Sequence, residues 1–254
     1  MAVVVVLLAF AASARAQSGT EMYISWGYNA NGYRPTDIHF TQSSLGNDFT
    51  LQDVSFHDSK GWTTGLLSHS VTGPQYNFQV GFFIRKNTAF EINFVHPKAI
   101  VTQDHTVRMT GTLNGAAVDQ NIVLSTNVLM YKLNNGANFA LFNVVRRVPL
   151  FRKPEQNGSV AALAKAGMGF VVPHTENTLF AQPNVPGFQF SGPDFGAEIA
   201  VRLNVFRGIF LEFCQKGVYA SYHDLNIYSG SAEQDLWTHV SALSFGRDFR
   251  IGKK

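Results

Sequence analysis

One segment of this chain alternates strictly between two kinds of side chain, and the alternation limits the folds that the chain can adopt. In Phe195–Val205 the odd-numbered positions carry Phe, Ala, Ile, Val, Leu and Val, whereas the even-numbered positions carry Gly, Glu, Ala, Arg and Asn. Successive side chains of a β-strand point to opposite faces, so the pattern predicts a strand with one apolar face and one polar face. A tilted strand of about ten residues is also long enough to cross a bilayer.

The same alternation recurs along the chain and predicts an all-β protein. The further segments are Met22–Tyr28, Tyr76–Ile84, Phe90–His96, Asn138–Arg146, Val160–Val172, Ile209–Tyr219 and Trp237–Ile251. Together they favour an antiparallel up-and-down transmembrane β-barrel of eight strands, because bacterial single-chain barrels have an even number of strands.

The predicted connections alternate in length, as they do in an oriented membrane barrel. The short ones, expected on the periplasmic side, are Arg85–Ala89, Val148–Ser159 and Arg207–Gly208, and the long ones, expected outside, are Asn29–Gln75, Pro97–Ala137, Pro173–Asp194 and Ala220–Leu236. The long connections are rich in β-structure: Asp37–Thr41, Phe49–Phe56 and Asn121–Leu133 resemble strands, and Asn134–Gly136 resembles a hairpin turn. A barrel of ten strands that recruits these segments is the second choice, because it breaks the alternation of loop lengths.

Alternation alone also fits a secreted soluble barrel such as a lipocalin, whose apolar face points inward. Only 15% of the residues are charged, against about 25% in an ordinary soluble domain. The apolar faces consist almost entirely of Phe, Ile, Leu and Val, which favours contact with lipid. Aromatic residues near the outer strand ends then fit an interfacial girdle; they are Trp26, Tyr28, Tyr76, Tyr219 and Trp237.

The N-terminus predicts export. Val3–Ala12 is a short apolar run, and the small residues that follow it fit a signal-peptidase site before Gln17. We therefore expect a signal peptide over residues 1–16 and one barrel domain over residues 17–254. Cys214 is the single cysteine, which excludes an internal disulfide, and the net charge of +3 gives no reason to expect a nucleic-acid partner.

The last predicted strand carries a more specific pattern. Ser244, Gly246, Phe249 and Ile251 have the spacing of the outer-membrane assembly signal. The chain resembles the small eight-stranded outer-membrane barrel proteins of Gram-negative bacteria, the class that contains the OmpA transmembrane domain, OmpX and the lipid A deacylase PagL. The resemblance implies a place in the cell outer membrane, contact with its lipid and lipopolysaccharide, and recognition by the outer-membrane assembly machinery.

Charged side chains lie on the faces predicted to point into the lumen. They are Arg85, Glu91, Lys165, Glu198, Arg202, Glu212 and Lys216. The interior of an eight-stranded barrel is just wide enough for side chains to fill. We therefore expect these residues to form a paired network that plugs the barrel, and a narrow, porin-like channel is the alternative.

Histidines with acidic neighbours concentrate in the predicted outer loops, where they could meet as metal ligands or as acid–base groups. This candidate cluster comprises His39, His57, His69, His105, His174, His223, Asp104 and Asp224. The alternative is that loops of this length carry several histidines by chance. We expect no cofactor and no bound metal.

The expected role is structural, or the binding of an external ligand through the surface loops. An outer-leaflet lipid A-modifying enzyme is the alternative, and a channel is the third hypothesis. The resemblance implies that a PagL-type deacylase would place a His-x-Ser pair on one strand face. Ser221-Tyr222-His223 has the reverse order, and Ser68-His69-Ser70 has the wrong spacing. The sequence therefore assigns no catalytic residue.

Overall fold

The structure is a computed structural model that describes residues 20–59, 75–133, 136–153 and 158–251. These residues form β-strands joined by turns and one short 3₁₀ helix, Ser43–Leu45. The strands are β1 (Thr20–Tyr33), β2 (Thr36–Gln42), β3 (Asn47–Val54), β4 (Phe56–Asp58), β5 (Tyr76–Arg85), β6 (Thr88–His96), β7 (Ala99–Val101), β8 (Thr106–Leu113), β9 (Ala116–Val123), β10 (Leu129–Leu133), β11 (Phe139–Lys153), β12 (Gly158–Val171), β13 (His174–Leu179), β14 (Gln182–Pro183), β15 (Gly187–Phe188), β16 (Gly192–Phe206), β17 (Ile209–Ile227) and β18 (Gly230–Ile251). None of the residues described forms a helix long and apolar enough to cross a membrane.

Eight strands pair in a closed antiparallel ring, which confirms the predicted barrel. The ring follows the order β1, β5, β6, β11, β12, β16, β17 and β18, and it closes where β18 pairs with β1. Closure satisfies the backbone hydrogen bonds of every barrel strand, which is what a sheet in lipid requires. Each predicted barrel segment lies on one strand of the ring. Arg207 and Gly208 form the tight turn between β16 and β17, both with positive φ.

The outer face of the ring is apolar. Ile199 on β16 is 69% exposed, and the next outward residues along the strand, Ala197 and Val201, are also apolar and exposed. We call this surface the apolar belt; it comprises Ile24, Ile92, Phe142, Val144, Met168, Phe195, Ile199, Val201, Leu203, Leu211, Phe213, Leu243 and Phe245. Soluble monomers rarely expose so large a contiguous apolar surface. The belt therefore fits lipid, and a lipocalin-like inward apolar face does not describe this barrel.

Aromatic pairs lie at the upper edge of the belt. The rings of Trp26 and Tyr28 are 4.7 Å apart between centroids, and those of Tyr219 and Trp237 are 5.1 Å apart. Such amphipathic rings are typical of a membrane interface. Above Tyr219 and Trp237, β17 and β18 continue as a paired extension that stands clear of the belt.

The connecting segments form a second β-structure on top of the barrel, which we call the surface domain. The upper part of β18 pairs with β2, and the sheet continues through β3, β8 and β9. A second sheet has the order β14, β13, β10, β7 and β4, and β15 pairs with β13. Apolar side chains fill the space between these sheets, among them Phe40, Phe49, Leu51, Tyr131 and Tyr222. The surface domain is thus a packed body, and its core continues into the upper interior of the barrel through Val95, Phe139 and Leu141.

The structure corrects several sequence predictions in this region. Asn121–Leu133 is not one strand, because the chain turns at Ser125, whose carbonyl accepts from the N–H groups of Val128 and Leu129. Val148–Ser159 is not mainly a connection, because β11 and β12 continue into it. Ala220–Leu236 is mostly strand as well. The predicted signal peptide and residues 134–135 of the predicted turn lie outside the described residues.

Candidate functional site

The barrel interior holds a layer of charged side chains whose order follows from strand register. Lys165 on β12 is paired in register with Glu198 on β16, and Glu198 is paired with Lys216 on β17. The Nζ atom of Lys165 lies 2.8 Å from Glu198 Oε1, and that of Lys216 lies 3.0 Å from Glu198 Oε2. Alternation points all three side chains inward, where each finds a partner of opposite charge.

The same layer extends across the lumen. Lys165 also contacts Glu91 at 2.9 Å and Glu212 at 2.8 Å. The guanidinium of Arg202 contacts Glu212 at 2.7 Å and lies 3.9 Å from the ring centre of Phe210. Three cations thus meet three carboxylates, with side chains that are at most 1% exposed. Arg202 also contacts a fourth carboxylate, that of Asp248, at 3.3 Å, and the Asp248 side chain is 18% exposed. These paired charges plug the lumen, and the arrangement favours a structural role for the lumen over a channel.

Arg85 was expected in this network, and that prediction is wrong. The pairing of β5 with β6 shifts register between Phe83 and Arg85, at the lower end of both strands. The shift breaks the alternation on which the prediction rested, and Arg85 is exposed. The barrel is closed beneath the charged layer by apolar side chains that include Tyr23, Phe83 and Phe210.

The predicted cluster of histidines does not form among the described residues. His57 contacts Thr102, His105 accepts from the Ser55 N–H, and His174 packs against Phe188. No group of three or more His, Cys, Asp or Glu side chains in the described ranges could hold a metal ion. His69 lies outside the described residues. Two members do meet at one place, because His39 and His223 line the same cleft.

This cleft lies on the outward face of the extended sheet, where β17, β18 and β2 run side by side. Its volume is about 510 Å³, and we call it the acidic cleft. Its lining comprises Pro35, Thr36, Asp37, His39, Asp53, Ser221, Tyr222, His223, Glu233, Gln234 and Asp235. It contains four carboxylates and two histidines, and no Lys or Arg. Its field therefore attracts positive charge.

Strand pairing places these side chains on one surface. Ser221 is the register partner of Asp235, and Glu233 is the register partner of His39. The intervening residue Tyr222 is fully buried in the core of the surface domain. Alternation therefore turns the polar residues outward on three neighbouring strands.

Ser221 stands at the centre of a short hydrogen-bonded chain in the cleft. Its hydroxyl donates to Asp235 Oδ1 at 2.6 Å, and Nε2 of His223 lies 3.2 Å from the same hydroxyl oxygen. The serine oxygen is thus within reach of both a carboxylate and an imidazole. Asp224, the neighbour of His223, has positive φ, its carbonyl accepts from the Gln189 side chain, and it does not line the cleft.

The other wall of the cleft is also held in place by hydrogen bonds. Asp37 Oδ1 accepts from the backbone N–H of Asp53 at 2.9 Å, and Asp53 has φ of 55°. His39 Nδ1 lies 3.0 Å from Thr50 Oγ1, and His39 Nε2 lies 3.2 Å from Asp48 Oδ1. These contacts fix the Asp37 carboxylate and the His39 imidazole on the sheet, so the positions of these two groups are set before any ligand arrives.

Sequence reasoning named His39 and His223 but missed most of the cleft. The other polar residues of its lining were given no role in a site: Asp37, Asp53, Ser221, Glu233 and Asp235. A usable signal was present, because polar residues recur at every second position in Asp37-Ile38-His39, Ser221-Tyr222-His223 and Glu233-Gln234-Asp235. What the sequence did not show is that these three segments are neighbours in one sheet.

Comparison with known proteins gives similarity only among solved structures. No protein family and no curated protein matches the chain. The chain is similar to Ail, the attachment invasion locus protein of Yersinia pestis, with 11% identity, 92% of this chain and 100% of that chain covered, and a TM-score of 0.36. It is similar to Neisserial surface protein A, with 8% identity, coverage of 91% and 98%, and a TM-score of 0.40. It is also similar to the outer membrane protease OmpT from Escherichia coli, with 8% identity, coverage of 93% and 100%, and a TM-score of 0.42.

Proposed function

We propose that this protein is an outer-membrane β-barrel that binds a cationic ligand from the cell exterior in the acidic cleft. The observation that carries the proposal is the composition of the cleft, which has four carboxylates and no Lys or Arg in its lining. The apolar belt and the closed strand ring support the membrane location, since a sheet in lipid must leave no edge unpaired. The cleft stands above the belt, on the part of the sheet that the barrel presents outside.

The chemistry of the cleft selects the class of ligand. Single exposed ion pairs are worth about 0–1 kcal/mol, so one carboxylate would bind a cation weakly. Several carboxylates carried by one rigid sheet can bind a single multivalent ligand together. The ligand then loses its translational and rotational freedom only once for all of these ion pairs. We therefore infer a ligand with several amino groups, such as a lysine-rich peptide or a polyamine. The phosphates of lipopolysaccharide are negatively charged, like the carboxylates of the cleft, and would be repelled from it.

Binding of a fluorescent tetralysine peptide to the barrel in lipid nanodiscs tests this function. The test uses a fourfold variant that combines Asp37→Asn, Asp53→Asn, Glu233→Gln and Asp235→Asn. We expect its dissociation constant to rise at least about tenfold, which is about 1.4 kcal/mol, and the wild-type affinity to fall as salt screens the carboxylates. Asp119→Asn is the matched control, because Asp119 is exposed on β9 and does not line the cleft. Unchanged binding by the fourfold variant would overturn the proposal.

Contact with membrane components follows from the barrel surface. The belt faces outer-membrane lipid in this proposal. The four residues of the predicted assembly signal lie on β18: Phe249 and Ile251 are exposed on the outside, Ser244 is buried inside, and a side chain at Gly246 would collide with Phe210. An exposed aromatic and an exposed aliphatic residue near the end of the last strand support recognition by the outer-membrane assembly machinery.

A second function is favoured by one specific contact, that of Ser221 with both His223 and Asp235. On β18, Asp235 is two residues beyond the girdle residue Trp237, about 7 Å along the strand. A serine at this level could reach esters at the outer leaflet. His223 would take the hydroxyl proton as Ser221 Oγ attacks the ester carbonyl, the alcohol would leave with that proton, and water would then release the acyl group from Ser221. The aspartate contacts the serine and not the histidine, which departs from the usual triad order.

Mass spectrometry of lipid A from expressing cells tests the enzyme directly, with an empty-vector control. An esterase predicts loss of an acyl chain in cells with the wild-type protein and an unchanged spectrum in cells with Ser221→Ala. Ser241→Ala is the matched control, because Ser241 faces outward on β18 and pairs with Gln215 away from the cleft. Ser221→Ala leaves every carboxylate of the cleft in place and should still bind tetralysine. An unchanged spectrum with the wild-type protein would reject the esterase and leave the binding function standing.

A further inference from the structure

The sheet that extends from β18 into the surface domain ends on a free edge at β9. Among the described residues, β9 pairs with β8 and with no other strand. It spans Ala116–Val123 without a register shift, and it contains no Pro and no Lys. The end strands of the second sheet, β14 and β4, have only two and three residues. Long edge strands usually carry a bulge, a Pro or a Lys that prevents further pairing, so β9 is open to another strand.

The turn between β8 and β9 determines which backbone groups of β9 point to this free edge. Asn114–Gly115 has positive φ at both residues, as in the two-residue type I′ hairpin turn, which makes Leu113 and Ala116 a hydrogen-bonded pair. At the far end, the Leu124 N–H donates to the His105 carbonyl, which is on the β8 side. Because the direction alternates along a strand, the N–H and C=O groups of alternate residues point to the free edge. These residues are Ala117, Asp119, Asn121 and Val123.

Two copies of β9 match each other when they pair antiparallel about Gln120. Asp119 then lies opposite Asn121 of the second copy, and Ala117 lies opposite Val123 of the second copy. Both are hydrogen-bonded positions, so every N–H and C=O that β9 presents to the free edge gains a partner.

The side chains fit the same register. Val118 and Ile122, which both pack against the core of the surface domain, become neighbours across the pairing. The Asp119 carboxylate accepts two hydrogen bonds of 2.8 Å from Arg108, and it faces an amide of the second copy. A pairing centred on Asp119 would place two carboxylates opposite each other, which is unfavourable. A pairing centred on Asn121 would leave Ala117 without a partner on β9. The register about Gln120 is therefore the one that satisfies both backbone and side chains.

We propose that the protein forms a homodimer in which β9 of one copy pairs antiparallel with β9 of a second copy. The surface domains join the two copies, and the sheet that starts at β18 continues from one copy into the other. A contact made by one strand of each copy is smaller than a standard protein interface, so the dimer should dissociate on dilution. The inference does not depend on the ligand of the acidic cleft, because β9 does not line the cleft.

Disulfide trapping in a Cys214→Ala background tests both the partner and the register. Gln120 is exposed and would lie opposite Gln120 of the second copy, with Cα atoms about 4.5 Å apart, within the range of a disulfide. Oxidation of the Gln120→Cys protein should therefore give a covalent dimer. The protein is kept in detergent micelles, where the two barrels are free to take the orientation that the pairing requires.

Asp119→Cys is the matched control for trapping. The two copies of residue 119 would be diagonal neighbours with Cα atoms about 7–8 Å apart, too far for a disulfide. We expect no covalent dimer from this protein. Equal dimer yields from Asp119→Cys and Gln120→Cys, or no dimer from Gln120→Cys, would overturn the proposal.

Sedimentation of the protein without added cysteines measures the dimer itself. The dimer fraction of the wild type should rise with concentration. Asn121→Pro removes an N–H from the free edge but none from the pairing with β8, so this variant should stay monomeric, whereas Asn121→Ser should dimerise like the wild type. Asn121→Asp is a second variant that places a carboxylate opposite Asp119 of the other copy, and it should also be monomeric. A wild-type protein that is monomeric at every concentration, or dimers of unchanged strength in Asn121→Pro and Asn121→Asp, would overturn the pairing.

Discussion

Lys165 and Glu198 face each other across the pairing of β12 with β16, and the ammonium nitrogen lies 2.8 Å from the carboxylate. The same nitrogen contacts two further carboxylates, Glu91 and Glu212. All four side chains are almost completely shielded from solvent. Lys165 is therefore the point at which the charges of four strands are balanced inside the barrel.

Replacing Lys165 by Met should destabilise the barrel strongly. The substitution keeps the length of the side chain but leaves Glu91, Glu198 and Glu212 with one cation fewer in a dry interior. Breaking a buried ion pair in this way costs about 3–5 kcal/mol. The free energy of unfolding in urea, followed with the barrel in detergent micelles, measures the effect.

Lys132→Met is the control for this experiment. Lys132 lies 4.0 Å from Glu176 on the surface domain, and the Lys132 side chain is 29% exposed. A partly exposed pair of this kind is worth about 1 kcal/mol or less. Equal stability of Lys165→Met and the wild type would show that water reaches the network, and the plugged lumen would be wrong.

The lipid-facing surface is tested by Ile199→Arg. Ile199 is the most exposed residue of the apolar belt on β16. An arginine facing lipid near the bilayer midplane costs about 2–4 kcal/mol in a barrel. Urea unfolding in lipid vesicles should show this loss, whereas Ile199→Leu should be nearly neutral. A neutral Ile199→Arg would mean that this face does not meet lipid.

Two buried tyrosines in the surface domain form a matched pair. The hydroxyl of Tyr222 donates to the Ala137 carbonyl at 3.1 Å, whereas the hydroxyl of Tyr131 is buried and has no partner. A satisfied hydrogen bond contributes about 1 kcal/mol, and an unsatisfied buried group is unfavourable. Tyr222→Phe should lower the thermal midpoint, and Tyr131→Phe should leave it unchanged or raise it. The opposite order would contradict the packing of this core.

The same tyrosines predict loss of stability in alkali. Burial raises the pKa of Tyr131 and of Tyr222 above the ordinary value. The folded state therefore holds these protons more tightly than the unfolded state does, so the stabilisation is complete below about pH 10 and is lost as the pH rises further. Thermal unfolding at about pH 8 and about pH 11 measures the change. Tyr131→Phe should reduce the difference between the two midpoints, and an unchanged difference would exclude this residue as a cause.

The barrel was predictable from the sequence because its signal is local. In Phe195–Val205 each residue reports its own face, so β16 and its neighbours could be recognised without knowledge of the rest of the chain. The same alternation predicted which charged side chains face the lumen. That prediction failed only at Arg85, where the register shifts.

The acidic cleft could not be predicted from the sequence for two reasons, one local and one long-range. A bulge between Tyr222 and Leu225, with Asp224 at φ of 54°, breaks the alternation of β17, so the segment resembles a loop in the sequence. The pairing of His39 with Glu233 joins two strands that lie far apart in the sequence, near opposite ends of the described chain. No periodicity within either segment indicates that they meet.

The most direct test of the account is the labelling of Glu233→Cys in intact cells. In a Cys214→Ala background, a maleimide that does not cross the membrane should react with the new cysteine, since residue 233 lies on the outward face of the cleft. A tetralysine peptide should slow the reaction, because three carboxylates of the cleft remain to bind it, and a tetraglycine peptide should not. Labelling at the same rate with and without tetralysine, or labelling only after the cells are lysed, would contradict an outer-membrane barrel that presents a cation-binding cleft to the exterior.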